Sequence, residues 1–482
     1  MTSTTRPRSF YWHDYETWGA QPAVDRAAQF AGLRTDLDFN PIGEPLVVYA
    51  QPADDLLPQP DACLITGITP QFAKANGTPE ADFFRFIHSE FMQPGTCALG
   101  YNSMRFDDEV TRYGFYRNFF DPYEREYKNG NSRWDLIDVV RLTRALRPDG
   151  IIWPEREPGV TSFRLEDLTA ANDIPHAGAH DALADVRATI AMANLLRAKQ
   201  PRLFDFVLDN RNRQKLSAQL NVRNPQPVLH VSARYPARLG CIAAVLPLAL
   251  HPRNRNGVIV YDLRVDPEPL LSMPVEQIRR LLYTPSTDLP EGAVRIPLKV
   301  IHVNRAPVVV PMGTLSESAR EQWAMTADAE KAHLNILNSA SGLAEKVAAV
   351  FDDAERFAPQ PDPDKDLYGG FLSDQDRRLC ERVRATALAD LAGLELAFEA
   401  PKLHELLFRY RARNWPASLD PDERQRWEEY RRYRLLEPAG GGSITLDGYR
   451  RRLSQLAVDN SLSTAQRAVV DALLDWPAEL GV

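Results

Sequence analysis

The segment Ser9–Thr17 (SFYWHDYET) constrains the fold more than any other part of the chain. Read as a strand, it points Phe10, Trp12, Asp14 and Glu16 to one side and Tyr11, His13 and Tyr15 to the other. That much aromatic surface predicts a buried strand. Two carboxylates closing a buried strand on one face are costly unless a metal ion or a cation compensates them. Acids occupy 65 of the 482 positions, so an isolated Asp-x-Glu pair carries little information, and it is the aromatic context that singles out Asp14 and Glu16.

Further strands are expected at residues 46–50 and 97–101 and helices at 107–118, 164–172 and 181–198, so residues 1–200 read as α/β. From Pro201 the texture changes to short β-branched runs, such as 257–265 and 294–304, separated by Pro, Asn and Gly turns. A small β-rich domain with helices at its far end is expected over residues 201–357. Residues 358–366 (APQPDPDKD) have the composition of a linker. Beyond them, helical periodicities rich in Leu, Ala and Arg run almost to the end, which assigns 358–482 to a helical domain. The length suits about three domains, and 44% hydrophobic with 25% charged residues excludes a mostly disordered, collagen-like or coiled-coil chain. The longest apolar run, 239–250, is too short to span a bilayer and is broken by Gly240 and Pro247, and residues 1–8 lack the apolar core of a signal peptide. Cys63, Cys97, Cys241 and Cys380 are too far apart for a CxxC zinc site and too few for a disulfide framework. A soluble protein of the reducing cytoplasm, with no membrane contact, is the expectation.

Net charge is −8, which argues against a general polyanion binder. The distribution qualifies that. Residues 201–260 carry nine basic side chains (Arg202, Arg211, Arg213, Lys215, Arg223, Arg234, Arg238, Arg253, Arg255) against Asp205 and Asp209, a local charge of +7. Such a strip is either a solvated face or a track for phosphates. Other acids stand at element boundaries. Asp107 and Asp108 follow a strand end that enters a helix, where either can cap the helix and leave the other to reach a site. Asp181 is the natural N-cap of the next helix, with Asp185 one turn in and His180 just outside, where ordinary loop is the alternative reading.

The order of these segments is more specific than any one of them. Asp14-x-Glu16 on a first strand, Asn102-x3-Phe106-Asp107 about ninety residues later, and His180-x4-Asp185 opening a helix resemble the three exonuclease motifs of the DEDDh family. LITGIT (64–69) is similar to that family's loop beside the terminal bases. HDYETWG, GYNSMRFDDEVTR, NSRWDL, SFRLEDLTAAN, AHDALADV and LLFRYRARNWP extend the likeness over nearly the whole chain, toward a bacterial branch of the family. The resemblance implies an α/β RNase H-like exonuclease domain followed by an SH3-like β domain and an α-helical domain. It implies a monomeric 3′ to 5′ exonuclease that degrades single-stranded DNA to 5′-mononucleotides in repair and recombination, with two Mg²⁺ ions for which Mn²⁺ can substitute. Asp14 would bridge the ions, Glu16, Asp107 and Asp185 would be further ligands, and His180 would be the general base. Independently, carboxylate oxygens are the donors that hard Mg²⁺ prefers, whereas zinc favours His and Cys.

Grip on a single strand without regard to sequence needs phosphate charge and aromatic stacking. Arg112, Tyr123, Tyr127 and Arg164 near the site supply that mixture, and Arg213, Asn256 and Tyr283 continue it; half-buried tyrosines and solvated arginines are the alternative. Residues 403–415 read as a packing helix with arginines at the rim of a channel, and 430–434 and 449–452 as solvated faces. A DEDDh ribonuclease and a non-catalytic nucleic-acid-binding subunit are the competing readings, and the intact set of Asp14, Glu16, Asp107, His180 and Asp185 opposes the second. The resemblance further implies docking of the acidic, hydrophobic C-terminal tail of single-stranded-DNA-binding protein. Arg147 with Phe206 would supply the cation and the apolar pocket, weakened here because Pro311 and Ser316 stand where relatives carry Gln and Arg.

Overall fold

The computed structural model describes residues 7–176, 178, 180–289, 295–352 and 360–482. The ends of two expected elements, Val294 and the Ala358–Pro359 start of the linker, lie outside the described residues, as does most of the segment weighed as a signal peptide. The chain forms two compact units. One comprises Pro7–Ser132, His176–Arg187 and Phe357–Val482, and the other contains Arg133–Pro175 and Ala188–Arg356.

In the first unit the aromatic strand, β1 (Ser9–Thr17), is central. It pairs antiparallel with β2 (Ala27–Thr35) and parallel with β4 (Thr96–Gly100), and β2 carries β3 (Leu46–Tyr49). Every residue of β2 is buried, and its AAQFAGLRT sequence lacks the alternation that marks a half-exposed strand, which is why the pattern gave no sign of it. The parallel register with β4 stops at Trp12↔Leu99, so β1 runs on past its neighbour and carries Asp14 and Glu16 beyond the paired region. Gly100 lets β4 end against β1, since a Cβ there would lie 2.6 Å from the His13 carbonyl oxygen, and Asn102 at φ 63° turns the chain back toward β1.

Helix Asp107–Arg117 follows that turn, and neither of its first two acids caps it. Asp107 Oδ1 instead accepts the Tyr15 backbone N–H at 3.2 Å, taking the place of a further strand. Asp108 forms a buried ion pair with Arg125 at 2.5 Å. The helix leans on helix Glu80–Phe91 through Gly114, where a Cβ would fall 1.9 Å from the Phe84 ring. Tyr11, Tyr15, Phe30, Phe83, Phe84, Phe91 and Phe115 form one aromatic core beneath the sheet.

The expected linker is not a linker where it is described. Pro363–Tyr368 is a 3₁₀ turn with Asp364 and Asp366 buried, because arginines of the following helices enclose it. Arg413 bridges Asp55 and Asp364 at 2.7 Å each, Arg409 reaches Asp364 at 2.8 Å and Asp362 at 2.7 Å, and Lys402 pairs with Asp366 at 2.9 Å. The basic helix Lys402–Asn414 therefore turns its arginines inward, with Arg411 also buried on Glu423, and no channel rim is needed to explain them. Arg431 and Arg434 are buried too, which corrects the reading of 430–434 as a solvated face; of 449–452, Arg450 and Arg451 are exposed and Arg452 partly so, but Tyr449 is fully buried, which corrects that reading in part.

In the second unit, helices Pro201–Asn210 and Arg213–Gln219 precede the β region, so the strands begin at Val228 rather than at Pro201. Strands Leu298–His302, Gly257–Asp262, Ile242–Leu250, Val228–Val231 and Val309–Pro311 lie side by side in that order, each antiparallel to the next. Ile242–Leu250 is the apolar run that had to be weighed against a membrane span. Its Pro247 has no N–H for the ladder, and the register against Gly257–Asp262 slips beside it. No described helix is long and apolar enough to cross a membrane, and the four cysteines are free and buried.

The Gly114 contact supplies a test of the core that holds the site. Gly114→Ala should destabilise the protein by about 1 to 3 kcal/mol, as overpacking does, seen as a lower denaturation midpoint. An unchanged midpoint would show that Phe84 can yield without cost.

Candidate active site

Asp14 and Glu16 share a face at the free end of β1, and Asp185 joins them from the first turn of helix Ala182–Lys199. One carboxylate oxygen from each of the three lies within 4.8 Å of the others. Asp107, in the first turn of helix Asp107–Arg117, stands beside this trio rather than within it. Its charge acts on both Asp14 and Glu16. Two of the four acids thus sit at helix N-termini, where the positive end of the helix dipole favours a negative group. Across β2, Ala31 lies opposite Asp14 and leaves room beside it, and Gln29 lies opposite Glu16.

Burial and mutual repulsion set the protonation of this cluster. Glu16 is pushed up to about 9, first by burial and then by Asp185, Asp107 and Asp181. Asp14 is raised well above the usual carboxylate range for the same reasons, with Asp107 its strongest charged neighbour. Burial also raises Asp185, opposed by a hydrogen bond from His176, whose Nε2 lies 2.5 Å from Asp185 Oδ1. The second oxygen of Asp185 accepts the His180 backbone N–H at 3.3 Å, and His180 adopts φ 70°, a left-handed turn that brings the loop onto the helix start. The trio offers only oxygen donors at a spacing one cation can bridge, and burial raises all three above the usual carboxylate range, Glu16 to about 9. A divalent metal ion fits this set.

His176 and Gln29 were not singled out in the sequence. His176 looked like one more loop residue of DIPHAGAHD. Gln29 had a signal that could have been used: it is a polar residue in the middle of an apolar run. His13, on the opposite face of β1, is buried among Phe30 and Phe91, and burial with Arg125 nearby lowers it to about 3, so it stays neutral.

The remaining expected contacts are distributed over both units. Tyr123 is half-buried and Tyr127 is 66% exposed. Arg112 is not the exposed cation expected beside them. It is buried, pairs with Glu109 at 2.6 Å and Glu126 at 2.8 Å, and lies 5.4 Å from the Tyr123 ring centre. In the other unit, Arg164 and Arg213 are exposed at the starts of helices Leu165–Ala171 and Arg213–Gln219, Tyr283 is exposed at the end of helix Val275–Tyr283, and Asn256 is partly buried in a turn. Of the nine basic residues between 201 and 260, all but Arg211 are exposed, although Arg253 spends its charge on Asp352. Arg147 ends helix Leu136–Leu146 and donates to the Thr314 carbonyl at 3.1 Å. That bond ties Arg147 to the 310–316 stretch, and its helix packs against helix Pro201–Asn210, which carries the half-buried Phe206.

Three family models match in succession: an exonuclease domain over residues 11–193, the exonuclease I SH3-like domain over 211–353 and the exonuclease I C-terminal domain over 361–480. Exodeoxyribonuclease I of Escherichia coli (strain K12) is 47% identical over 480 residues, 100% of both chains. The chain belongs to the exodeoxyribonuclease I family. It is therefore a nuclease, with an α/β exonuclease domain followed by the SH3-like and C-terminal domains of that family. Among solved structures of the family, exonuclease I from Methylocaldum szegediense superposes with a TM-score of 0.93 at 50% identity, covering 98% of this chain and 99% of that one. The zinc-ion-bound form of the E. coli exonuclease I–single-stranded DNA complex gives 0.93 at 46% identity, covering 99% and 100%.

The protonated state of Glu16 has a measurable consequence. Below about pH 9 a divalent ion must displace its proton, so metal affinity should rise with pH toward that value and binding should release protons. Calorimetry in buffers of different ionisation enthalpy will count them, and Glu16→Gln should lower the number released, leaving the share of Asp14, which is also raised. Binding without proton release near pH 7 would contradict the assignment.

Proposed function

We propose that the chain is a Mg²⁺-dependent 3′ to 5′ exonuclease that degrades single-stranded DNA to 5′-mononucleotides and serves DNA repair and recombination. The observation that carries this reading is the convergence of Asp14, Glu16 and Asp185 within 4.8 Å in a chain whose whole length follows an exodeoxyribonuclease I. The DNA-bound E. coli relative supports single-stranded DNA as the substrate. The domain limits that suit the family matches are 1–200, 201–357 and 358–482.

Asp14, Glu16, Asp107 and Asp185 would hold the divalent ions, with Asp14 as the ligand they would have in common. The ions, when bound, polarise the scissile phosphate and acidify a water. What the chain's own residues then do follows from their positions. His180, on the loop that Asp185 anchors, takes the proton of the attacking water on its imidazole. Asp107, fixed by the Tyr15 N–H, stays aimed at the strand end. Tyr123 and Tyr127 stack on bases, with Arg112 acting through Tyr123, and Arg164, Arg213, Asn256 and Tyr283 also contact the strand. The exposed basic residues of 201–260 give an otherwise acidic protein its phosphate track. Arg147 with Phe206 receives the C-terminal tail of single-stranded-DNA-binding protein. Pro311 and Ser316 offer that tail no charge, since Pro311 is exposed at a strand end and Ser316 spends its hydroxyl capping helix Glu317–Gln322.

Release of mononucleotides from a 3′-labelled oligonucleotide tests the reading. Asp14→Ala should nearly abolish release while DNA binding in Ca²⁺ persists, and undiminished hydrolysis would remove Asp14 from the site. His180→Ala should cost about 10² to 10⁴ in rate with metal affinity intact; a parallel loss of metal would make His180 a ligand. A labelled tail peptide should bind the wild type weakly and Arg147→Ala not at all, whereas equal binding by both places the partner elsewhere.

A further inference from the structure

Gln29 is 1% exposed in the middle of β2, directly across from Glu16 and on the same face of the sheet. Its amide is fully engaged. Oε1 accepts the Ala182 backbone N–H at 3.3 Å, and Nε2 donates to Asp181 Oδ2 at 3.2 Å and to the Tyr49 hydroxyl at 2.9 Å. The orientation follows from its neighbours, since the Ala182 N–H can only donate and must face the amide oxygen, which leaves the nitrogen for the carboxylate.

Two of these partners begin the helix that carries Asp185. The first N–H groups of a helix have no partner inside it and must be met from outside. Here Asp181 Oδ1 meets the Ala184 N–H at 3.1 Å and Gln29 meets that of Ala182. Asp185 is the next residue along, its own N–H closing on the Asp181 carbonyl at 3.1 Å, and its side chain in turn holds the His180 N–H. Gln29 therefore links the sheet position that carries Glu16 to the helix start that carries Asp185.

The geometry points to Gln29 as a positioning residue: a latch that fixes the start of helix Ala182–Lys199 against the sheet and so sets where Asp185 and His180 stand relative to Asp14 and Glu16. The chemistry of the position is narrow. A glutamate would meet the Ala182 N–H but would set a carboxylate against Asp181 and beside Glu16. A methionine of similar length would leave the Ala182 N–H unmet and free the helix start from the sheet. The latch rests on the exonuclease reading only for its effect on turnover.

Gln29→Met and Gln29→Glu, measured beside the wild type, test it with three readouts: steady-state hydrolysis of a single-stranded oligonucleotide, site-resolved amide hydrogen exchange and thermal unfolding. For Gln29→Met a fall in kcat of roughly 10- to 100-fold is expected, the scale of a misplaced catalytic group, with KM changed by less than about twofold. Exchange should quicken at residues 181–185 while the amides of β1 and β2 keep their protection. Gln29→Glu should lose more activity than Gln29→Met, because it adds like charge. Wild-type kcat in Gln29→Met, or faster exchange spread over the whole sheet with KM rising alongside, would overturn the latch and leave Gln29 a packing residue. If the wild type itself released no mononucleotides, the proposed function would fail, and the exchange experiment would still judge the latch.

Discussion

Mutual repulsion among carboxylates is the constraint around which this protein is arranged. Asp14, Glu16 and Asp185 are held within 4.8 Å of one another with Asp107 and Asp181 close by, and Glu16 answers by holding its proton up to about 9. No flexible chain would keep such a set together. The cluster exists because each acid is attached to something that gains elsewhere: a strand packed on both faces by aromatics, a helix that leans on Phe84, and a helix start tied down by its own side chains. The strain is then available to a divalent ion, which removes the repulsion and the protons together.

Arg125 and Arg112, both buried, are engaged away from the acidic trio. Arg125 is spent on Asp108, the acid next to Asp107, and Arg112 is spent on Glu109 and Glu126. His13, adjacent to Asp14 in sequence, points into the aromatic core and stays neutral. Positive charge is thus present but neutralised by partners other than the trio. An Asp108 unpaired from Arg125 would add one more negative charge to the same helix start.

The sequence carried the site further than it carried the scaffold. Alternation in SFYWHDYET located β1 with its ends, because one strand face holds acids and the pattern is sharp. The start of helix Ala182–Lys199 was legible from Asp181, since a cap residue is a local signal. By contrast β2 is buried on both sides and shows no period, and the 201–227 helices were absorbed into a reading based on β-branched content further on. Charge in the last third misled for a different reason. RRYR looks solvated and the arginines of RYRAR look like a channel rim when their partners are invisible, and the partners of Arg409 and Arg413 stand tens to hundreds of residues away, in a Pro- and Asp-rich stretch and at Asp55. Gln29 failed to register because a single polar residue in an apolar strand gains meaning only from what lies across from it.

The bridge that Arg413 makes between Asp55 and Asp364 spans most of the chain. Asp55 is wholly buried, and although burial alone would keep it protonated, Arg413, Arg26 and Arg434 hold it ionised well below the usual carboxylate range. Two of those three guanidiniums are synthesised only in the last seventy or so residues. The strand bearing Asp14 and Glu16 thus has its whole aromatic core in the first third of the chain, whereas Asp55 draws two of its three counter-charges from the last part, and an ionised Asp55 is enclosed at acceptable cost only with them. A chain stopped after Asp185 would own all four acids of the cluster and still lack two of the three guanidiniums that hold Asp55 ionised.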